Sequence, residues 1–376
     1  MDWFAGRISD PVLRLRFLRA VAPPPEAAPA PRSRFRLPFV LLPLLAAGVI
    51  SSFFLLRATA RTEPVAQTLP RVAIPTVVES GRPVEVWLVE KSGNSETYSN
   101  GLRIDSRFAV LNHPRSYLAF PAVSPEKGRG VHGSSPVGIV FHTTESRQVP
   151  FEAAQTGALK SIGESLVEYV RRRRAYNFLI DRFGRVYRIV WESDAANHAG
   201  YSVWCDQKWL YLNLNESFLG ISFEARTEAG QEASKVEPAQ VRAAAMLIEM
   251  LRSRYGIPAA NCVTHAQVSV NPSNMRVGYH TDWASSFPFE PLGLPDNYTR
   301  PLPALWMCGF ESDGVFLRFA GARLAEGVRL AEEKVNQGAA AAGLSEAQYR
   351  RGLQKRFRER LAEARHPGAA SADDGE

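Results

Sequence analysis

The sequence predicts a mixed α/β fold, and three observations support this prediction. Between about residues 136 and 297, apolar runs typical of strands, such as VGIVFH and FLGISFEA, alternate with helical patterns. One of those patterns begins with Pro238 at a first-turn position and ends at Gly256, as helix-end chemistry predicts. With 376 residues and 45% hydrophobic content, the chain is also long enough for a sizeable core.

Composition excludes several classes of protein. The apolar content is too high for a disordered polymer, there is no glycine period of a collagen, and three cysteines are too few for a disulfide-stapled miniprotein. The net charge of +7 lies largely in the predicted N-terminal tail and C-terminal helices, and no nucleic-acid-binding motif accompanies it. We therefore expect no nucleic-acid partner.

The N-terminal part of the chain predicts a membrane anchor. Residues 1–36 form an Arg/Pro-rich tail, residues 37–56 are 20 uncharged, mostly apolar residues, and residues 57–82 resemble a stalk. The arginine excess before the apolar run predicts a single-pass inner-membrane protein with a cytoplasmic N-terminus and a periplasmic catalytic domain. A cleaved signal peptide is the alternative, because Ala58-Thr59-Ala60 has the small-x-small form.

Three further regions follow the stalk. Residues 83–135 contain short β segments separated by turn residues and are predicted to form a small β-rich module. Residues 136–312 form the main α/β domain, with helices predicted over 152–172 and 238–255. Residues 313–376 predict a pair of helices interrupted at Gly338 and Gly343, suited to a scaffold or to binding envelope proteins.

Histidines at strand ends are the clearest chemical feature of the main domain. His142 ends VGIVF, His265 ends NCVT, and His280 comes two residues before Asp282. Imidazole and carboxylate are ligands that suit Zn²⁺, so His142, His265 and Asp282 are candidate ligands. Because they are 123 and 17 residues apart, spacing alone does not establish a metal site, and each histidine could equally be an ordinary strand-end residue.

Several short motifs in one order identify a family. The motifs are H-x-T from His142, Y-N-F-L-I-D from Tyr176, H-A-G from His198, L-G-I-S-F from Leu219, T-H-A-Q-V from Thr264 and H-T-D from His280. With these motifs in this order, the region from 142 to 282 resembles the zinc-dependent N-acetylmuramoyl-L-alanine amidases and peptidoglycan recognition proteins. That resemblance implies a mixed central sheet flanked by helices, one Zn²⁺ in a surface cleft, and hydrolysis of the amide between N-acetylmuramic acid and L-alanine of peptidoglycan or muropeptides.

The resemblance also implies residue roles. His142, His265 and Asp282 correspond to the three zinc ligands, and His280 corresponds to the group that stabilises the oxyanion. Tyr176 is similar to the tyrosine that assists the attacking water in the phage and recognition-protein branch.

One position departs from the family pattern. The wall-recycling branch has a catalytic glutamate where this chain has Ser222. The general base is then Tyr176, Glu224 two residues further along the same strand face, or a group from elsewhere in the fold. We favour Tyr176, although a phenol with an ordinary pKa of about 10 is a weak base.

Three residues near the motifs are candidates for substrate binding: His198, Asn177 and Thr144. An ordinary loop histidine is the alternative for His198. The cysteines Cys205, Cys262 and Cys308 are odd in number. One pair could form a disulfide, but nothing in their spacing selects it, and Cys262 is expected to be a buried small side chain.

These observations support two hypotheses of different classes. The first is a membrane-anchored zinc amidase that acts on peptidoglycan. The second is a catalytically weak or inactive peptidoglycan-binding or sensing protein of the cell envelope. The intact ligand set argues against this alternative, while the serine at 222 leaves it open.

Overall fold

A computed structural model of the protein describes residues 84–122, 129–226, 236–312 and 314–365. The predicted tail at 1–36, the span at 37–56 and the stalk at 57–82 lie outside these residues. All structural statements below concern the described part of the chain.

The strands that form the sheets of the fold are β1 (Leu88–Ser92), β2 (Ser95–Tyr98), β3 (Arg103–Asp105), β4 (Tyr117–Pro121), β5 (Val131–Gly133), β6 (Gly138–Thr143), β7 (Phe178–Ile180), β8 (Val186–Arg188), β9 (Trp204–Cys205), β10 (Trp209–Tyr211), β11 (Phe218–Phe223), β12 (Cys262–Thr264), β13 (Val270–Asn271) and β14 (Arg276–Val277). The core of the fold is an eight-stranded mixed sheet in the order β1-β2-β3-β8-β7-β11-β6-β12. A four-stranded sheet of order β5-β4-β10-β9 and the hairpin β13-β14 accompany it.

Helices connect and cover these strands. They are α1 (Thr156–Arg173), α2 (Leu214–Ser217), α3 (Pro238–Tyr255), α4 (His265–Val268), α5 (Pro303–Cys308), α6 (Gly314–Phe319), α7 (Ala322–Ala341) and α8 (Glu346–Arg365), with 3₁₀ turns at Ala153–Gln155, Ala259–Asn261 and Glu290–Leu292. The predicted mixed α/β architecture with a central mixed sheet flanked by helices is confirmed.

The centre of the sheet is parallel. β6 lies between β11 and β12, and all three run in the same direction, as does β7 beside β11. Their residues are buried throughout, which explains why β6 and β11 appear in the sequence as continuous apolar runs. Because parallel strands end at the same edge, the residues at their carboxyl ends are brought together.

The segment after residue 83 extends this sheet. β3 pairs in parallel with β8, and β2 and β1 continue outward in antiparallel pairing. The predicted short β segments are therefore present, and three of them are strands of the central sheet. Further along, β4 and β5 join β10 in the second sheet.

The two helices predicted for the main domain are confirmed. α3 has the predicted bounds, with Pro238 at its start, a capping box between Glu237 and Gln240, and Gly256 in the left-handed conformation at its end. α1 begins a few residues later than predicted, because its first turn, Ala153–Gln155, is a 3₁₀ turn.

The C-terminal helical pair is also present, with one difference. Gly343, with φ of 66°, separates α7 from α8, as predicted. The predicted break at Gly338 is wrong, because α7 continues through it. Gly338 lets Tyr349 of α8 approach closely, since a Cβ at position 338 would lie 2.4 Å from the Tyr349 hydroxyl. The role of these helices in binding envelope proteins stays a prediction.

The predicted membrane location is corrected by the structure. In the described ranges no helix is both long enough and apolar enough to cross a bilayer. Even the longest, α7 and α8 with 20 residues each, carry charged side chains along their length. The predicted single-pass inner-membrane protein is therefore not supported by the described residues, and its predicted span at 37–56 lies outside them.

Candidate metal centre

Two histidines meet at the carboxyl edge of the parallel strands. His142 is the fifth residue of β6, and His265 directly follows β12, the neighbouring strand. Their rings lie 4.4 Å apart between centroids, and both side chains are almost fully buried. Strand order therefore brings together two residues that are 123 positions apart in the sequence.

A local capping motif fixes the start of α4 and thus the position of His265. The Thr264 side chain accepts from the backbone N–H of Gln267, and the Gln267 side chain accepts from the N–H of Thr264 at 2.9 Å. This reciprocal capping box starts a helix at the residue after Thr264. The sequence T-H-A-Q consequently places His265 at the first position of α4, next to the strand end.

Asp282 reaches the two histidines from a loop held against α4. Its backbone carbonyl accepts from the N–H of Ala266 at 3.2 Å, and the Gly278 N–H donates to Ser269. Gly278 has φ of 73°, and a Cβ there would lie 2.0 Å from the Phe316 ring, so the loop requires glycine at this position.

The carboxylate of Asp282 is shared by the two imidazoles. Its Oδ1 lies 2.8 Å from His265 Nδ1, and its Oδ2 lies 3.2 Å from His142 Nδ1. One ligand atom from each of the three residues falls within 4.8 Å of the others. Ligands of a tetrahedral ion with bonds of about 2.0–2.1 Å are separated by about 3.3 Å, so this nitrogen, nitrogen and oxygen set fits a small divalent cation such as Zn²⁺.

Burial and contact set the charges of this group. Burial, together with the smaller effect of the neighbouring His265, lowers the pKa of His142 to about 4, so His142 is neutral near pH 7. Burial alone would raise the pKa of Asp282, but its contacts with His265 and His142 outweigh burial and hold that pKa well below its usual range. An ionised carboxylate beside neutral imidazole is the donor set that a cation requires.

His280 lies at the open side of the group. Its ring stacks on His265, with centroids 4.6 Å apart and planes at 21°, and its side chain is exposed. The Ser269 hydroxyl accepts from its backbone N–H at 2.8 Å, which anchors the chain at this point. The structure thus brings His280 next to a candidate ligand while leaving it accessible from solvent.

Tyr176 lies on the other side of His142. The two ring centroids are 5.1 Å apart, and Tyr176 has a left-handed backbone with φ of 63°. Burial raises the pKa of the Tyr176 phenol, and the charge of Asp282 raises it further, while Ser222 acts in the opposite direction. The phenol is therefore protonated at neutral pH and close enough to Asp282 to respond to its charge.

Glu224 has different neighbours. Its Oε2 accepts from the backbone N–H of Arg182 at 3.2 Å and lies against Gly163 of α1. Burial raises the pKa of Glu224 to about 7, and the other charges that affect it are Asp181, Arg182 and Arg185. Both Glu224 and Tyr176 were candidates for the general base, but only Tyr176 interacts with the group formed by His142, His265 and Asp282.

His198 contacts the candidate ligand His142 directly. Its Nδ1 lies 3.1 Å from His142 Nε2, and its Nε2 lies 3.2 Å from the carbonyl oxygen of Phe218. Burial holds the pKa of His198 well below its usual range, and nearby His142 and Arg115 lower it further. Both ring nitrogens of this predicted substrate-binding residue are thus engaged by the protein.

Asn177, which the sequence suggested as a substrate-binding residue, lies inside the protein. The side chain is fully buried. Its Oδ1 accepts from Arg115 Nη2 at 3.1 Å and from the Gly220 N–H at 3.0 Å. Its amide nitrogen faces the backbone carbonyl oxygens of Val190, Trp191 and Asp194, each at 3.3 Å. Asn177 therefore ties strands and loops together beneath the site.

Thr144, the third predicted substrate-binding residue, follows β6 and is half-buried. Its hydroxyl lies 2.8 Å from the hydroxyl of Ser146. Its backbone N–H donates to Phe223 at 3.0 Å, which continues the pairing of β6 with β11. The structure places it two residues beyond His142, at the same edge of the sheet.

Sequence reasoning did not find Arg115, which supports the site from behind. This buried guanidinium donates to the carbonyl oxygen of Phe218 at 2.8 Å and to the backbone carbonyls of Glu216 and Glu192. Burial lowers its pKa to about 10, so it remains charged at neutral pH. Nothing in its sequence context signals this role, because its partners are backbone carbonyls from distant segments.

The three cysteines, Cys205, Cys262 and Cys308, are free thiols, and Cys262 is buried as expected.

The family of this region is recognised from its sequence. Residues 132–282, less than half of the chain, match the family model described as N-acetylmuramoyl-L-alanine amidase. All three candidate ligands and Tyr176 fall within the matched residues. A comparison with curated proteins gave no match.

Several solved structures resemble part of the chain. The N-acetylmuramoyl-L-alanine amidase LysC of Clostridium intestinale is 20% identical over 49% of this chain and 93% of its own, with a TM-score of 0.27. The amidase AmiD of E. coli, solved with a muropeptide substrate, is 22% identical over 46% of this chain and 64% of its own, with a TM-score of 0.31. Drosophila PGRP-LB is 17% identical over 43% of this chain and 86% of its own, with a TM-score of 0.26.

Proposed function

We propose that this protein, whose residues 132–282 belong to the N-acetylmuramoyl-L-alanine amidase family, hydrolyses the amide between the lactyl group of N-acetylmuramic acid and L-alanine in peptidoglycan or its fragments. The proposal rests on one observation above all. His142, His265 and Asp282 converge at one edge of the sheet, within the matched residues, with ligand atoms no more than 4.8 Å apart.

Zinc is the proposed metal. Two imidazole nitrogens and one carboxylate oxygen form the kind of ligand set that catalytic zinc sites use, with the fourth position left for water or substrate. Zn²⁺ held there would polarise the scissile carbonyl and lower the pKa of water, so that hydrolysis becomes feasible at neutral pH. His142, His265 and Asp282 would hold it.

The remaining residues act on the substrate and on the attacking water. The Tyr176 hydroxyl, protonated at neutral pH, orients the attacking water as a hydrogen-bonding group rather than removing its proton as a free phenolate. His280, exposed and stacked on His265, donates a hydrogen bond to the oxygen on which negative charge develops. In this proposal Glu224 takes no part in the chemistry, because its carboxylate binds the backbone of Arg182.

The test uses the full chain, loaded with Zn²⁺ and then dialysed, with purified muropeptides as substrate. We expect about one zinc per chain and release of the stem peptide, both lost in His265→Ala. His113→Ala is the matched control, because His113 is an exposed histidine paired with Glu216, and it should retain both properties.

Two other results would contradict the proposal. Bound zinc and bound muropeptide without cleavage would support the alternative, a peptidoglycan-binding or sensing protein, which the serine at 222 leaves open. No zinc binding by the unmodified protein would overturn the assignment of His142, His265 and Asp282 as ligands.

A further inference from the structure

We propose that His198 is a positioning residue that fixes the tautomer of His142, so that His142 presents Nδ1 to the cation and keeps its proton on Nε2. This inference rests on the proposed metal site and extends it from the three ligands to a hydrogen-bonded chain behind one of them. The chain runs from the carbonyl of Phe218 through His198 to His142.

The chain starts at a group that can only accept. The carbonyl oxygen of Phe218 lies 3.2 Å from His198 Nε2, and a carbonyl has no proton to donate. His198 must therefore carry its proton on Nε2. In the neutral ring the other nitrogen, Nδ1, then has a free lone pair and acts as an acceptor.

The second link follows from the first. His198 Nδ1 lies 3.1 Å from His142 Nε2, and two unprotonated nitrogens at this distance would repel each other. His142 must therefore donate from Nε2. In neutral His142 this leaves the lone pair on Nδ1, the nitrogen that lies 3.2 Å from Asp282 Oδ2.

The hydrogen-bonded series ends at His142 Nδ1, and this atom requires a positively charged partner. A lone pair on His142 Nδ1 facing an ionised carboxylate is unfavourable without an electrophile, because both atoms are acceptors. A divalent cation bound by both atoms gives every nitrogen in the chain a partner. Ligating histidines commonly donate their second ring N–H to an acceptor in this way, which fixes the ring and increases its basicity.

The surrounding residues hold His198 in place. The side-chain oxygen of Asn215 accepts from three successive backbone N–H groups, those of His198, Ala199 and Gly200, at 2.7–2.9 Å. The His198 ring packs on Gly220, where a Cβ would lie 2.7 Å from the ring. At the far end, Arg115 donates to the same Phe218 carbonyl at 2.8 Å and so fixes the acceptor.

Two substitutions separate positioning from mere packing. His198→Asn places an amide oxygen near the position of Nδ1, so an acceptor for His142 can be kept. His198→Phe keeps a ring over Gly220 but removes the acceptor. We expect the zinc dissociation constant to rise about 10–100-fold in His198→Phe and to stay closer to that of the unmodified protein in His198→Asn.

Zinc affinity is measured on the full chain by competition with a chromophoric chelator. His113→Phe is the control, because it introduces the same substitution at an exposed histidine that is not part of the hydrogen-bonded series from Phe218 to His142. If His198→Phe does not fold, His198→Gln replaces it, since a longer amide reaches toward Phe218 rather than keeping an acceptor at the Nδ1 position. Equal zinc affinity in the unmodified protein and in the variant without the acceptor would overturn the inference.

A spectroscopic measurement tests the tautomers directly. In the zinc-loaded protein labelled with ¹⁵N, long-range ¹H–¹⁵N correlations should show His142 with a metal-bound Nδ1 and a protonated Nε2, and His198 with a protonated Nε2 only. A metal-bound Nε2 in His142 would contradict the inference while leaving the proposed amidase intact. Failure of the unmodified protein to bind zinc would overturn both proposals.

Discussion

The ring of Tyr176 lies 5.1 Å from the ring of His142, and Tyr176 holds this position with a backbone φ of 63°. A left-handed conformation in a bulky residue costs about 1 kcal/mol or more and persists only where the surrounding structure enforces it. Trp283, directly after Asp282, has φ of 58°, so two residues of strained backbone flank the same group. Strain at this place is consistent with a site built for function rather than for stability.

The hydroxyl of Tyr176 is therefore the first group to remove. Tyr176→Phe keeps the ring against His142 and should lower kcat about 100-fold or more, with zinc content unchanged, because only the orienting group is lost. Glu224→Gln should change kcat little, since Glu224 binds the backbone of Arg182. Steady-state hydrolysis of a muropeptide measures both variants. The opposite ranking would identify Glu224 as the base and reject the role assigned to Tyr176.

His280 should affect turnover without affecting the metal. His280→Ala removes a donor next to the proposed oxyanion and should lower kcat about 100- to 1000-fold, as observed when a single oxyanion donor is lost. Zinc content should remain that of the unmodified protein, because His280 is not part of the group formed by His142, His265 and Asp282. His132→Ala, at another exposed histidine, is the control. If His280→Ala also lost its zinc, His280 would act as a ligand or as a support for His265.

The sequence allowed the meeting of His142 and His265 to be predicted, because each residue lies at the end of an apolar strand. His142 and His265 end apolar runs, and parallel strands place such ends at one edge, so the mixed α/β fold and the histidine pair could be anticipated together. Residue chemistry also suggested Asp282 as a ligand, and the resemblance to a family added Tyr176 and the role of His280.

The supporting residues could not be predicted, because their partners are far apart in the sequence. Arg115 meets Asn177 across 62 positions, and His198 meets His142 across 56. A polar residue near a motif resembles a substrate contact in the sequence, and the burial of Asn177 becomes visible only in the structure. The same reasoning explains Gly338, where a glycine that appeared to end a helix instead makes room for a tyrosine of the next helix.

Asn177 should therefore affect stability rather than substrate binding. Asn177→Ala leaves buried donors of Arg115 and Gly220 without their acceptor and should lower the free energy of unfolding by about 3 kcal/mol. Urea unfolding measures this change, and Asn274→Ala, at an exposed position, should change stability by less than about 0.5 kcal/mol. A raised KM with unchanged stability would instead restore Asn177 as a substrate-binding residue.

Glu224 should make stability depend on pH between about 4.5 and 7. Burial raises its folded-state pKa from 4.5 to about 7, so in this interval the folded protein holds a proton that the unfolded chain has released. The contribution of Glu224 to stability is then most favourable below pH 4.5, falls as pH rises toward 7 and is constant above it. In Glu224→Gln this loss is absent. The free energy of unfolding of the variant, relative to the unmodified protein, should rise across the interval by a few kcal/mol at most.

Urea unfolding at several pH values between 4 and 8, with a chelator in every sample, measures this difference. Glu168→Gln, which makes the same substitution at an exposed carboxylate of α1, is the control. A difference for Glu224→Gln that does not vary with pH would mean that Glu224 titrates at its ordinary pKa in the folded state. The Arg182 backbone would then stabilise the carboxylate against burial, and Glu224 would again be available, as an anion at neutral pH, to act as the general base.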